Sequence, residues 1–302
     1  MSDRIAGRFR LASLMVAIAL AVSTAGAGLA ETILDRGRYL VGTILACGNC
    51  HTPKAPDGRP IAGQELAGGG LSFTTPAFNA TAANITPDRE TGIGTWTDGE
   101  IKVALTHGTR RARSGGAPLA AVMPAGFYKA ILPGDLDAIV AYLRSLAPVR
   151  HEIPAPVYKL PVRRDPYPDA EAGFTEGDLR APVKRGAYLV TIGHCMECHA
   201  AWEKGVPDYQ NGLGRGGRVF NSALVQGFPP SWEGAKAANI TSHPILGIGS
   251  WTDDEIKRAV SKGVARDGHD LKPPMPFSWY AGMNETDLNA IVAYLRTLRP
   301  LE

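Results

Sequence analysis

Residues 47–51 read Cys-Gly-Asn-Cys-His and residues 195–199 read Cys-Met-Glu-Cys-His. The two pentapeptides hold all four cysteines of the 302-residue chain, and a histidine, His51 or His199, follows each pair at once. Cysteines paired in this way are ordinarily two disulfides of an exported protein or one four-cysteine zinc site. Neither use accounts for the histidines. At the abundance of histidine in this chain, the chance that both pairs acquire one by accident is about 1 in 2,000, and C-x-x-C-H is the spacing of covalent haem attachment. Two thiols on one short turn, Cys47 with Cys50 or Cys195 with Cys198, can each add to a vinyl group on one porphyrin edge. The imidazole that follows is then held beneath the ring as the proximal iron ligand.

Outward from the pentapeptides the chain repeats itself, which sets the architecture before any detail does. Arg36-Gly-Arg-Tyr-Leu-Val41 ahead of the first motif recurs as Arg185-Gly-Ala-Tyr-Leu-Val190 ahead of the second. The stretch from Ala83 to Arg111 recurs from Ala238 to Arg266, Met123-Pro124 recurs as Met275-Pro276, and Asp135 to Leu146 recurs as Asp287 to Leu298. Each half is therefore one complete module, residues 31–147 and 183–302. Residues 148–182 between them contain Pro148, Pro154, Pro156, Pro161, Pro166, Pro168 and Pro182, the composition of a semi-rigid, extended linker. Leu136, Ile139, Val140, Leu143 and Leu146 recur at helical steps, with Asp137 and Arg144 off the stripe. A second helix is expected from Thr97 to Thr106 with Gly108 just past its end, its counterpart starting at Thr252. A third leads into each haem motif, where Gly37 and Gly186 could permit close helix crossing. With 35 Gly and 23 Pro, many turns and little regular sheet are expected, so the fold class predicted is all-α, with haem replacing much of the core.

Residues 1–30 differ from the rest. Arg4, Arg8 and Arg10 precede the apolar run Leu11 to Val22, and small residues follow to Ala30, the outline of a secretory signal peptide cleaved after Ala27 or Ala30. An uncleaved N-terminal anchor is the alternative, since the apolar region extended to Ala30 approaches the ~20 residues that span a bilayer. No second long apolar run follows, so the mature chain is expected in the periplasm, soluble or peripherally membrane-associated. Removal of these residues takes away three Arg and one Asp and lowers the formal charge from +3 to +1. Nucleic-acid binding, which needs a clustered cationic surface, is disfavoured.

The sixth iron position separates electron carriers from enzymes and gas binders. Met123 and Met275 both precede proline, lie just ahead of the last helix of their module and occupy matched positions, as expected of distal thioether ligands. Met283 reads as core filler, Met196 sits inside the attachment loop, and His107 and His269 are unmatched alternatives. His151, His194 and His243 read as structural or solvent-facing. Trp96 and Trp251, with Asn84 and Asn239, also recur. Two readings stand for these four: ordinary packing and turn formation, or hydrogen bonds from indole and amide N–H groups to haem propionates.

The combination of C-x-x-C-H, Asn84-Ile-Thr-Pro-Asp88, Gly92-Ile-Gly-Thr-Trp-Thr-Asp98, Met-Pro and Ala141-Tyr-Leu-Arg-Ser-Leu146 resembles the cytochrome c subunits of bacterial periplasmic dehydrogenases that oxidise alcohols, gluconate or fructose. Molybdenum enzymes that oxidise aldehydes or nicotinate carry similar subunits. The likeness covers nearly all of the chain outside residues 1–30 and the linker. It implies two tandem cytochrome c domains with two covalent haems c, His51 and Met123 on one iron, and His199 and Met275 on the other. It further implies electron transfer from a periplasmic dehydrogenase to a cytochrome, oxidase or quinone-linked acceptor, in a chain that is not itself an enzyme. The alternatives are a dihaem peroxidase or thiosulfate dehydrogenase with one open haem face, and a gas sensor or haem store.

Overall fold

The computed structural model describes residues 31–111 and 116–302; the expected export segment, residues 1–30, lies outside the described residues. The first module contains α1 (Ile33–Tyr39), which runs straight into a π-helical turn (Leu40–Ile44), then α2 (Cys47–His51), β1 (Ser72–Thr74), β2 (Phe78–Thr81), α3 (Asp98–His107), α4 (Ala125–Tyr128) and α5 (Pro133–Ser145). The joining segment contributes β3 (Val157–Tyr158), α6 (Pro168–Ala172) and a 3-10 turn (Asp178–Arg180). The second module contains α7 (Pro182–Ile192), α8 (Cys195–His199), β4 (Ala201–Glu203), β5 (Val206–Asp208), β6 (Val219–Asn221), β7 (Val225–Gln226), β8 (Gly234–Lys236), α9 (Asp253–Lys262), α10 (Phe277–Tyr280) and α11 (Glu285–Leu295).

Local chemistry explains the matched helices. Thr97 and Thr252 close capping boxes with Glu100 and Glu255 at the starts of α3 and α9, and Gly108 and Gly263, with φ of 64° and 66°, end them in the left-handed region. Immediately ahead of each attachment helix stands a left-handed residue that is not glycine, Ala46 with φ 46° and His194 with φ 44°. Such a conformation costs an L-residue roughly 1–2 kcal/mol. Its recurrence at both matched positions marks the corner that turns α2 and α8 away from the helices before them.

The largest helix contacts are α1 on α5 and α7 on α11. They are as close as backbones allow, because a Cβ at Gly37 would lie 2.0 Å from the Ala138 carbonyl oxygen and one at Gly186 1.9 Å from that of Ala290. One continuous hydrophobic core runs through both modules, from Leu40, Ile44 and Ile139 to Tyr188, Ile192 and Ile291.

Two reciprocal polar contacts cross between the modules. Arg36 donates twice to Asp135, at 2.7 and 2.8 Å, and Tyr188 of the other module donates to the same carboxylate at 2.6 Å. In the second module Arg185 donates to Asp287 at 2.5 Å, and Tyr39 of the first donates to it at 2.6 Å. Both carboxylates are buried, where a charge persists only if paired and fully hydrogen-bonded. Each module thus supplies the hydroxyl that completes the other's ion pair, the pattern of a two-fold interface within one chain.

The joining segment is packed onto both modules. Extended through its first part, it adds β3 to the edge of β2. The buried Tyr167 then stacks on Phe127 of the first module, ring centroids 4.7 Å apart, and meets Tyr209 of the second edge-on at 5.3 Å. Pro168 and Pro182 stand at the first positions of α6 and α7, where the missing N–H costs nothing.

The all-α expectation does not hold. Helix accounts for 35% of the structure and strand for 11%, and the strands form an antiparallel sheet in the order β3-β2-β1-β7 and two separate pairs, β4 with β5 and β6 with β8. The physical reason is that these strands are two to four residues long, too short for alternation to register. Moreover, β1 pairs with β7 of the other module, Phe73 opposite Val225, a partnership that no local pattern announces.

Gly186→Ala should lower the denaturation midpoint by the equivalent of about 3 kcal/mol, since the methyl group meets backbone that cannot rotate away. Gly134→Ala in α5 meets nothing within 4 Å and should be neutral or stabilising by up to ~1 kcal/mol. Chemical denaturation of the two variants checks the pair, and equal effects would contradict the close-crossing account.

Candidate haem sites

The two attachment motifs open onto one predominantly apolar cavity of about 1200 Å³. Cys47, Cys50, His51 and Met123 line it from the first module and Cys195, Cys198, His199 and Met275 from the second. All four cysteines are free thiols, so the disulfide alternative finds no bond. Among the described residues no three His, Cys, Asp or Glu side chains converge as a metal-binding cluster, so the four-cysteine zinc alternative has no site. Burial pushes the thiols of Cys47, Cys195 and Cys198 up to about 12 and that of Cys50 up to about 11. A dithiol exchange centre is arranged in the opposite sense, with a depressed thiol.

Each histidine is aimed. His51 Nδ1 lies 2.6 Å from the Ala83 carbonyl oxygen and His199 Nδ1 lies 2.8 Å from that of Ala238. A carbonyl oxygen only accepts, so Nδ1 carries the proton and Nε2 is left as the ligating nitrogen. Burial lowers the basicity of both rings, against a smaller opposing effect of the carbonyl, favouring the neutral imidazole a metal requires. Two thiols and one oriented imidazole per module, on an apolar cavity, fit a covalently attached haem.

The asparagines fix those carbonyls. Asn84 Oδ1 accepts from the Thr86 N–H at 2.9 Å and hydroxyl at 2.8 Å, while its amide donates to Thr91 Oγ1 at 2.9 Å and the Val149 carbonyl at 2.7 Å. Asn239 repeats the arrangement, its Oδ1 accepting from Thr241 and its amide donating to the Leu301 carbonyl at 2.7 Å. The oxygens hold the turn that follows each asparagine, while the amides reach the Val149 and Leu301 carbonyls far along the chain, and both N–H groups of Asn84 are engaged. Asn84 and Asn239 are the residues that directly follow Ala83 and Ala238, whose carbonyls the histidines meet.

Trp96 and Trp251 also line the cavity, and neither indole N–H meets an acceptor among the described residues. The backbone of each tryptophan is gripped from the last helix of its module. Arg144 donates to the carbonyls of Ile93 and Trp96 and to Asp98, and Arg296 donates to those of Ile248 and Trp251 and to Asp253. In the sequence both arginines read only as polar residues beside an apolar stripe; their matched positions were the available signal of this clamp.

The remaining candidates separate. His107 is bonded to its neighbour Thr106 and His269 to Asp267, though His269 does reach the cavity wall. Met196 is fully buried in the core, whereas Met283 both packs on the core and lines the cavity.

Residues 183–299 match the family model described as Cytochrome c. A protein of Cereibacter sphaeroides named Diheme cytochrome c-type is 30% identical over 85% of this chain and 83% of its own length. The chain belongs to the cytochrome c family. The fructose dehydrogenase cytochrome subunit of Gluconobacter japonicus is 30% identical over 88% of this chain and 52% of that protein. A nicotinate dehydrogenase subunit of Pseudomonas putida is 33% identical over 88% of this chain and 21% of that protein. The chain therefore spans about half or less of these two relatives. This dihaem cytochrome carries covalently bound haem c and is an electron-transfer protein.

In this cytochrome Trp96→Phe separates packing from hydrogen bonding. If the indole N–H serves a haem propionate, the variant should lower the midpoint potential of one haem and cost at most about 1 kcal/mol of stability. Redox titration with chemical denaturation checks this. A loss of about 3 kcal/mol with both potentials unmoved would leave Trp96 as packing alone.

Proposed function

We propose that this cytochrome takes electrons from a periplasmic dehydrogenase and passes them through both haems to a downstream respiratory acceptor, a cytochrome, an oxidase or a quinone-linked protein. The observation that carries the reading is the single apolar cavity shared by the two attachment motifs, which brings both redox groups into one body rather than onto independent lobes. When bound, the haem iron supplies the one-electron change between ferric and ferrous states. The polypeptide orients the ligands, excludes water and holds the two modules in a fixed relation. The relatives named as cytochrome subunits of dehydrogenases support a dehydrogenase as donor. No helix among the described residues is long and apolar enough to cross a membrane.

On this reading Cys47 and Cys50 attach one haem and Cys195 and Cys198 the other. His51 with Met123 would hold one iron, and His199 with Met275 the other. Trp96 and Trp251 donate to propionates, and Asn84 and Asn239 act through the histidines. The two haem domains are residues 31–147 and 183–302, joined by residues 148–182, and residues 1–30 direct export. Thioether ligation from these methionines would satisfy the iron in both oxidation states, raise the potential relative to a second histidine and keep peroxide away from the metal. A dihaem peroxidase or thiosulfate dehydrogenase would need one face open, and matched methionines on the cavity wall of both modules argue against that design.

Met123→Ala and Met275→Ala should each lower one potential, turn one haem high-spin and open it to carbon monoxide, leaving the other unchanged. Optical and magnetic spectra with carbon monoxide titration check this. Ready binding of carbon monoxide by the unmodified protein would transfer the reading to an open catalytic haem.

A further inference from the structure

Arg164, in the joining segment, lines the cavity wall with a guanidinium that its surroundings among the described residues leave incompletely bonded. Its Nη2 donates to the carbonyls of Leu119 at 2.8 Å and Ala120 at 3.3 Å, just ahead of Met123. Its Nε is buried with no hydrogen-bond partner. None of the ion pairs among the described residues includes it, although Asp165 is next in the chain and also lines the cavity. The charge cannot be shed, because guanidinium does not deprotonate in proteins, and its buried Nε–H forgoes a hydrogen bond. The second module handles the same niche differently. The space beside Gly108, at the end of α3, is filled by the Arg164 guanidinium, whereas the space beside Gly263, at the end of α9, is filled by the ring of Phe277. Packing alone therefore does not require a cation there.

We propose that Arg164 is the counter-cation for a propionate carboxylate of the first module's haem and thereby raises the midpoint potential of that haem alone. A haem brings two carboxylates with it, and a half-buried guanidinium on the wall of the same cavity, with a spare Nε–H, is the donor a carboxylate seeks. The inference rests on the placement of one haem in the first module. Because the charge comes from the joining segment, the segment tunes one redox centre as well as tethering two modules. Arg258 also has a buried Nε without a partner, but it lies outside the residues that line the cavity and is held on the Ala265 and Arg266 carbonyls.

The test is redox titration of the holoprotein between about pH 5 and about pH 8, with Arg164→Met, Arg164→Lys and Met123→Ala, the last marking which haem belongs to the first module. In the unmodified protein the potential of that haem should be flat with pH, its carboxylate held ionised by Arg164. Arg164→Met should lower this potential alone and make it fall as pH rises, because the unpaired carboxylate now releases its proton within the window. Arg164→Lys should restore most of the flat profile, and both Arg164 variants should stay low-spin like the unmodified protein. Unchanged potentials in Arg164→Met would overturn the proposal. So would equal loss of the low-spin spectrum in both Arg164 variants, which would reduce Arg164 to a brace for the Met123 loop. Should Arg164→Met fail to accumulate, a pH-dependent potential for the first haem in the unmodified protein would overturn it as well. If Met123→Ala leaves the spin state untouched, the ligand assignment fails, while a shift confined to one haem in Arg164→Met still supports the charge pairing.

Discussion

The spacing of two thiols and one imidazole on a single helical turn governs the rest of the molecule. It sets two thiols and one imidazole of each module on the wall of a cavity of about 1200 Å³, and the polypeptide is built around that space. Its lining is mostly apolar, surface that is unfavourable to leave in water. A protein with such an interior needs a resident that does not dissociate, and thioether attachment provides one. The short helices, the left-handed corners at Ala46 and His194 and the carbonyls of Ala83 and Ala238 all serve to present that turn.

The second constraint is the internal two-fold relation. Tyr39 and Tyr188 reach across to Asp287 and Asp135, each already paired with an arginine of its own module. Asn49 of the first attachment helix also donates to the Pro274 carbonyl beside Met275, at 3.1 Å, and a Cβ at Gly48 would strike the Trp279 ring. On the second side, the ring of His194, immediately ahead of α8, meets the Tyr128 ring of α4 edge-on, 6.0 Å away. The relation of one redox centre to the other is set by side chains inside a common core, and the proline-rich segment adds Tyr167 as a third contact.

What could be read from the sequence follows from how local each signal is. The attachment turns, the capping residues Thr97 and Thr252 and the apolar stripe of α5 are all written within a few residues, so they are visible without a structure. The matched Met-Pro pairs and the candidate tryptophans became visible only because the chain repeats. The sheet did not, since β1, β2, β3 and β7 come from three separate parts of the chain. Asp135 and Asp287 look like surface acids at the start of a helix, and only the burial created by the partner module reveals their role. Asn84 was open to two uses, and its side-chain bonds to the turn and the joining segment depend on residues far apart in the chain. Arg164 sits in a segment whose composition says only linker; its meaning depends on what its guanidinium faces.

The central claim is that two haems belong to one rigid body and exchange electrons within it. It is tested most directly by reducing the holoprotein with a brief pulse of substoichiometric electrons and following the redistribution between the two haems by absorbance. The account predicts a first-order phase whose rate is independent of protein concentration. A redistribution rate that scales with protein concentration, showing that electrons equilibrate only between molecules, would contradict it.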